Sequence, residues 1–387
     1  MVHRLLLFVF LFLASLKGVS MAAYTTEQLF STSTQEAEGF ATKAVDFGSP
    51  EFAFTTLVNE QMELWIGESS GNEDEPLVRV YSPEQRDEFM IEVYRVKFAA
   101  FAEAITAGHG FLAKKGYNRI VRDIDKSNNA FAMLAGGLAD ETGNYTKLGR
   151  LAVISRGAEA LFVYAHMDYD DYLKYEPTVS RFLGALRMKE DGALQNAFEV
   201  VKAENGSEFF AAKGWSVKKN DKPERQGASD YSMTLPDQEY PNIQIQIRPD
   251  NLETGRKLGA EMIAALTKEI EGSSKAHFVG EPELTTMKTE SGESYAYTYS
   301  RGWDINETGA PMVSEFQIQK NKDGTIAICG YNTYDSRRKV GDFDEEAGNL
   351  LFKNWVVGVS AYAAAQMSLL HGKEDFLRGL DIRAVGH

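Results

Sequence analysis

Cysteine is almost absent from this chain. The single thiol, Cys329, excludes an internal disulfide, so the fold is no disulfide-stapled scaffold and must be held by packed cores. Histidine is scarce, with 6 among 387 residues, and none stands in the His-Glu-x-x-His spacing that puts two zinc ligands on one helix face. No Gly-x-Ser-x-Gly elbow is present to expose a serine nucleophile. Neither a phosphate-cradling Gly-x-x-x-x-Gly-Lys-Ser/Thr loop nor a strand-following Gly-x-Gly-x-x-Gly occurs. Basic charge is in deficit, 41 Lys and Arg against 56 Asp and Glu, a net −15. That balance argues against nucleic acid, whose phosphates are neutralised by Lys and Arg, and against anionic lipid surfaces.

A long apolar run is missing everywhere except the start. Leu5–Leu16 follows the basic Met1–Arg4 and leads to Ser20 and Ala22 in small-x-small spacing, the three parts of a secretory signal. The run falls short of the roughly 20 residues that span a bilayer, and Lys17 interrupts it. Residues 1–22 are therefore expected to be a cleaved signal peptide. The mature chain is expected to be periplasmic or secreted, without a transmembrane segment. Its 43% hydrophobic and 11% aromatic residues suffice for packed cores, and its length favours two domains.

Residues 23–50, rich in Thr, Ser, Ala and Gly, read as a loosely ordered lead-in. A first α+β unit spans 51–190, a polar linker 191–208, and a second unit 209–387. In the first, strand-like stretches at Phe52–Leu57, Met62–Ile66 and Leu77–Tyr81 precede a helix opened by Ser82-Pro83-Glu84-Gln85. Phe89, Val93, Val96, Ala100 and Ala104 continue that helix at steps of three and four. Strands at Asn118–Ile124 and Ala130–Gly136, a hairpin at Leu151–Arg156 and Ala160–His166, and a helix through Pro177 complete the unit. The second has strands at Trp215–Lys218, Asp230–Leu235 and Asn242–Ile247. A helix at Leu252–Glu271 stops at Gly272. Extended chain follows through Tyr295, Tyr297 and Tyr299, then a hairpin at Met312–Gln319 and Thr325–Gly330, and a long helix over 344–370. Each half thus reads as strands, helix, strand pair, hairpin, polar loop and helix, the order of an antiparallel sheet covered by helices.

The run Leu151–Gly157, Ala160–His166, Tyr172–Pro177 and Phe182–Arg187 resembles the closing segment of PsbP-like proteins. Gly214-Trp215 and the helix after Pro249-Asp250 are similar to the start of the same unit. The resemblance implies an α/β/α sandwich in two tandem copies. It also implies a non-enzymatic role in assembling or stabilising larger complexes, outside the cytoplasm.

His166, Asp168, Asp170 and Asp171 form the densest set of metal-capable side chains, since alternating oxygens suit calcium and an imidazole suits manganese or zinc. The glycine of a calcium loop is missing, and Asp170 and Asp171 also fit as helix caps. Arg337 and Arg338, in the loop Asp335–Lys339, fit a carboxylate or phosphate clamp, or a solvated turn. Cys329 lies in a strand-like apolar run and fits a small buried core residue. The expected function is an exported binding or assembly protein acting on another extracytoplasmic protein, with no cofactor. The alternatives are a secreted metal-dependent hydrolase built on His166 and a small-ligand carrier.

Overall fold

The computed structural model describes residues 24–33, 42–47, 53–67, 75–84, 88–188, 194–220, 229–338, 345–378 and 380. The signal segment expected at 1–22, the capping box expected through Gln85, and Lys339 lie outside them. The described chain divides into two units. Unit 1 takes the residues up to Lys97, Ala102–Leu194 and Leu380; unit 2 takes Phe98–Phe101 and Gln195–Arg378.

Unit 1 runs α1 (Thr26–Phe30), β1 (Thr42–Phe47), β2 (Phe54–Asn59), β3 (Glu63–Ile66), β4 (Val78–Tyr81), β5 (Phe89–Lys97), α2 (Ala104–Lys114) and β6 (Arg119–Arg122). It continues with β7 (Phe131–Ala139), β8 (Tyr145–Ser155), β9 (Glu159–Asp168), α3 (Tyr172–Gly184) and β10 (Arg187–Met188). Unit 2 runs β11 (Phe198–Lys202), β12 (Glu208–Ala212), β13 (Ser216–Lys219), β14 (Ser229–Thr234), β15 (Asn242–Arg248) and α4 (Leu252–Glu271). It ends with β16 (Ala276–Lys288), β17 (Ser294–Ile305), β18 (Pro311–Lys320), β19 (Ile326–Tyr334), α5 (Glu345–His371) and α6 (Lys373–Arg378).

Each unit is built on a 7-stranded sheet, ordered β3-β4-β5-β9-β8-β7-β6 in unit 1 and β13-β14-β15-β19-β18-β17-β16 in unit 2. These are one topology written twice. In both, the third strand leads into a helix, four strands return as a meander, and the last of these pairs with the third. The expected α+β class, two similar units with antiparallel sheets covered by helices, is what the strands form. Hairpin β1–β2 in unit 1 and hairpin β11–β12 in unit 2 precede the main sheet and pack with the closing helix, α3 and α5 respectively.

The core of unit 1 lies between the sheet and α3. It takes Phe89, Ile91 and Val93 from β5, Leu161, Val163 and Ala165 from β9, and Tyr172, Tyr175, Val179 and Phe182 from α3. On the opposite face α2 packs over β7, β8 and β9, with Phe111 stacked on Phe162 at 4.8 Å. β5 is buried on both faces along most of its length, so its two-residue alternation is masked. That is why Phe89–Lys97 forms a strand where a helix is expected. Phe89 and Val93, four apart, share a strand face as readily as a helix face.

Two stretches read as loose are ordered in part. The lead-in holds α1, opened by a reciprocal capping box between Thr25 and Gln28, and β1. Its Ser31 carbonyl accepts from buried Arg150 at 2.6 Å, and Ser33 donates to the Ser180 carbonyl at 3.1 Å. The linker stretch holds β11, paired to β12. The lead-in is ordered by partners distant in sequence, Arg150 and Ser180, so local composition carries no sign of it, whereas β11 is ordered by the adjacent β12.

Glycine brings the inserted helices close to their sheets. A Cβ at Gly108 of α2 would lie 2.4 Å from Leu134 Cδ1, and one at Gly259 of α4 2.3 Å from Ile318 Cδ1. Gly348 of α5 meets nothing within 4 Å. Gly259→Ala is expected to destabilise unit 2 by about 1–3 kcal/mol through overpacking. Gly348→Ala should stabilise it by about 0.5–1 kcal/mol, because the open helical position gains only the propensity and unfolded-chain entropy of alanine. Urea melts of both variants check this pair; equal effects would mean that helix propensity, not the approach to the sheet, decides.

Candidate functional site

Alongside α2, whose Phe111 ring meets Tyr94 and Tyr164, the same face of unit 1 carries a row of aromatic and charged side chains. Register aligns Trp65 on β3 with Arg79 on β4, Arg79 with Glu92 on β5, and Glu92 with Tyr164 on β9. Directly opposed side chains on one face are close enough to interact, and here Trp65 meets Arg79 and Arg79 meets Glu92. The Arg79 guanidinium lies 5.2 Å from the Trp65 ring centroid, and its Nε donates to Glu92 Oε1 at 3.1 Å. The Tyr94 hydroxyl donates to Glu92 Oε2 at 2.7 Å. His166 Nε2 stands 3.7 Å from the same oxygen, an ion-pair rather than a hydrogen-bond distance. The His166 ring stacks on Tyr164 with 5.0 Å between centroids. Lys115, at the end of α2, donates to the Tyr94 hydroxyl at 3.3 Å and lies 4.8 Å from that ring's centroid.

Two opposed glycines make room for the last member. Gly136 and Gly149 pair across β7 and β8, and a Cβ at either would come within 2.8 Å of the Tyr117 ring. In that slot the Tyr117 hydroxyl shares a 2.8 Å hydrogen bond with Tyr164. Burial pushes the Tyr117 hydroxyl up to about 12 and raises that of Tyr164 further, so both stay protonated.

Burial alone would raise the Glu92 carboxyl. The contacts from His166 and Tyr94 and the charges of His166 and Lys115 outweigh it and hold the group at about 2. Glu92 is thus a fixed anion at the centre of the row. A base so weak is poorly matched to proton abstraction near neutral pH, whereas a rigid anion flanked by Arg79 and Trp65 suits recognition. Trp65 is 41% exposed and the Arg79 side chain likewise 41%, while Glu92 and Tyr94 beneath them are buried.

Of the residues singled out from sequence, His166 belongs to this row, facing Glu92. Asp168 ends β9 and is exposed; Asp170 and Asp171 occupy the 3-10 turn Tyr169–Asp171 that follows. Asp168 precedes that turn and Asp171 precedes α3, and neither makes a side-chain cap hydrogen bond. The capping expected of Asp170 and Asp171 is thus not made through Asp171; both contribute acidic charge to the 3-10 turn. Among the described residues no three His, Cys, Asp or Glu side chains come together to hold a metal ion.

Arg337 and Arg338 grip the chain itself. Arg337 Nε and Nη2 donate to the Asp335 carboxylate at 2.6 and 2.9 Å. Arg338 Nη1 is 2.7 Å from Asp304 Oδ1, and its Nη2 donates to the Trp303 and Met312 carbonyls. The bidentate geometry expected of these arginines is present with an internal carboxylate as the occupant. Cys329 is fully buried, and burial pushes its thiol up to about 12, so it is not a thiolate nucleophile at neutral pH.

Sequence reading missed Trp65, Arg79, Glu92, Tyr94, Lys115, Tyr117 and Tyr164. As a strand, Met90-Ile91-Glu92-Val93-Tyr94 places Glu92 and Tyr94 on one face, the signal that a helix assignment hides.

The chain defines a two-unit α+β protein, and no family model or curated protein matches it. Solved structures do match. The solution structure of PsbP (CyanoP) from Synechocystis shares 11% identity, covering 41% of this chain and 91% of that one, with a TM-score of 0.25. The type VI secretion immunity protein TplEi from Pseudomonas aeruginosa shares 9%, covering 73% and 92%, with a TM-score of 0.18. A chain of the Tle4–Tli4 complex shares 9%, covering 73% and 93%, also at 0.18. The likeness to PsbP is therefore weak, and at such scores none of these matches bears on function.

The electrostatics give a pH test. With its folded value near 2 against an ordinary 4.5, ionised Glu92 stabilises the fold above pH 4.5, and the contribution is lost as pH falls toward 2. Glu92→Gln should cost on the order of 3 kcal/mol near neutral pH. The gap to wild type should close between about pH 4.5 and 2. Denaturant melts across that range check it; a gap independent of pH would mean the charge of Glu92 is not what stabilises the row.

Proposed function

We propose that this chain is an exported, non-enzymatic binding or assembly protein that acts on a protein partner outside the cytoplasm, and that the Trp65–Arg79–Glu92–His166 face of unit 1 meets that partner. The observation that carries the reading is the exposed Trp65–Arg79 pair held over a buried, charge-fixed support. Trp, Tyr and Arg dominate the energetics of protein interfaces when they are pre-organised and ringed by other contacts. Rigid support lowers the ordering cost of association. Export rests on the sequence signal at 1–22.

The matching place in unit 2 supports the assignment. Counted from the closing hairpins, whose inner pairs are Ser155↔Ala160 and Lys320↔Ile326, Tyr164 and Gly330 are equivalent. The row leading to Gly330 reads Lys218, Ser232 and Gln244, with no aromatic residue. The fold itself does not require Trp, Arg and Glu at these positions.

Affinity capture from the native extracytoplasmic extract, with mass spectrometry of the bound material, tests the reading. One reproducible protein partner is expected. Its retention should fall about tenfold or more in Trp65→Ala and in Arg79→Ala, with melting temperature little changed, and persist in Lys218→Ala. A partner held equally by all three variants would remove the unit 1 face from the interaction. Turnover of a substrate that survives Glu92→Gln but not metal removal would favour the hydrolase alternative instead.

A further inference from the structure

The two 7-stranded sheets have four edges, formed by β3 and β6 in unit 1 and by β13 and β16 in unit 2. Three are blunt. β3, β6 and β13 are 4 residues each; β6 begins and ends in Arg, and β13 ends in Lys218-Lys219. Short strands and basic side chains are how folded proteins stop their edges from recruiting other chains. β16 breaks that pattern with 13 residues, at the position β6 holds in unit 1. Its side chains are open to solvent along most of its length, with Val279 39% and Leu284 49% exposed. A bulge separates Val279 from Glu283 in the pairing with β17, where Gly280 takes a φ of +74°. Beyond it Glu283–Met287 runs in unbroken register with Ala296–Ser300. Among the described residues, no strand lies beside the outer edge of this stretch in the sheet.

We infer that the Glu283–Lys288 edge of β16 accepts an extended, Lys- or Arg-rich segment of a partner protein as an eighth strand of the unit 2 sheet. A strand laid on this edge would gain main-chain hydrogen bonds, and its alternate side chains would supply specificity. Charge selects the occupant. From Glu281 to Glu293 the exposed hairpin carries Glu281, Glu283, Glu290 and Glu293 against a single Lys288, so a basic segment is attracted and an acidic one repelled. A second copy is the disfavoured occupant. It would bring Glu281 and Glu283 of both chains to one seam and join two chains each of net charge −15. This edge belongs to unit 2, and its inference stands apart from the unit 1 face.

The probe is a blocked synthetic peptide alternating Lys with Val and Thr, long enough to pair with Glu283–Lys288, compared with the same peptide carrying Glu for Lys. Titration into the isotopically labelled full chain is followed by backbone amide shifts and hydrogen exchange. The Lys peptide should bind about tenfold or more tightly than the Glu peptide at low salt, and protect alternate amides of residues 283–288. Glu281→Lys/Glu283→Lys, which alters only exposed side chains, should invert the preference, while Trp65→Ala leaves it intact. Equal affinity for both peptides, shifts that map elsewhere, or no binding would overturn the inference. So would concentration-dependent self-association through β16, which would make a second copy the occupant.

Discussion

The pairing of the seventh strand back onto the third is the contact on which each unit depends. In unit 1 it runs from Phe89↔Met167 to Lys97↔Glu159, and in unit 2 from Asn242↔Asn332 to Arg248↔Ile326. Both pairs are non-local, so the chain between them must close a long loop before the pairing is rewarded. Once made, the pair places the inserted helix on one face and the closing helix on the other, so the central strands are buried on both sides where the helices lie. A polar group on such a strand must find a partner, because an unpaired buried charge is costly.

Two equivalent positions meet that constraint with opposite charge. Arg150 on β8, opposite Ala165, and Glu315 on β18, opposite Tyr331, stand the same distance from their closing hairpins. Both face the closing helix and both meet its tyrosine. Arg150 donates to the Tyr172 hydroxyl at 3.3 Å and to the Ser31 carbonyl at 2.6 Å. Burial pushes the Glu315 carboxyl up to about 7, against the pull of Tyr362 and Arg337. Arg150 thereby ties the lead-in segment to the sheet, while Glu315 sits within a polar interior that includes Gln317, Gln319 and Gln366. The scaffold fixes where an ionisable group meets the helix, not its sign.

This constraint also decides what is legible in the sequence. Hairpins and amphipathic helices declare themselves locally, so the β8–β9 and β18–β19 hairpins and the helix over Leu252–Glu271 are read correctly. α4 is the clearest case, since its polar face and the cap at Asn251 are both visible in one dimension. β5 is hidden because double-sided burial erases its alternation, and with it goes the face of Glu92 and Tyr94. His166 is found as a reactive type in a suggestive neighbourhood, but its partner lies across the sheet, more than seventy residues away in the chain. Arg337 and Arg338 show the converse: the carboxylate that Arg337 holds, Asp335, stands two residues away in the same loop, while Asp304, met by Arg338, is distant in the chain and invisible locally.

Two units of one topology in one chain act as controls for each other. Whatever the fold requires should appear at equivalent places in both, as close-approach glycines do in α2 and α4 and as the helix tyrosine does at Arg150 and Glu315. Departures are then not explained by the fold. The row Trp65–Arg79–Glu92 has Lys218–Ser232–Gln244 as its counterpart, an ordinary wetted surface. The 13-residue edge of β16 has the 4-residue β6 as its counterpart. An exposed tryptophan and a long open edge both add risk of unwanted association without adding to stability. Each unit carries one such feature where the other does not, and binding to another molecule is the physical gain that offsets that risk.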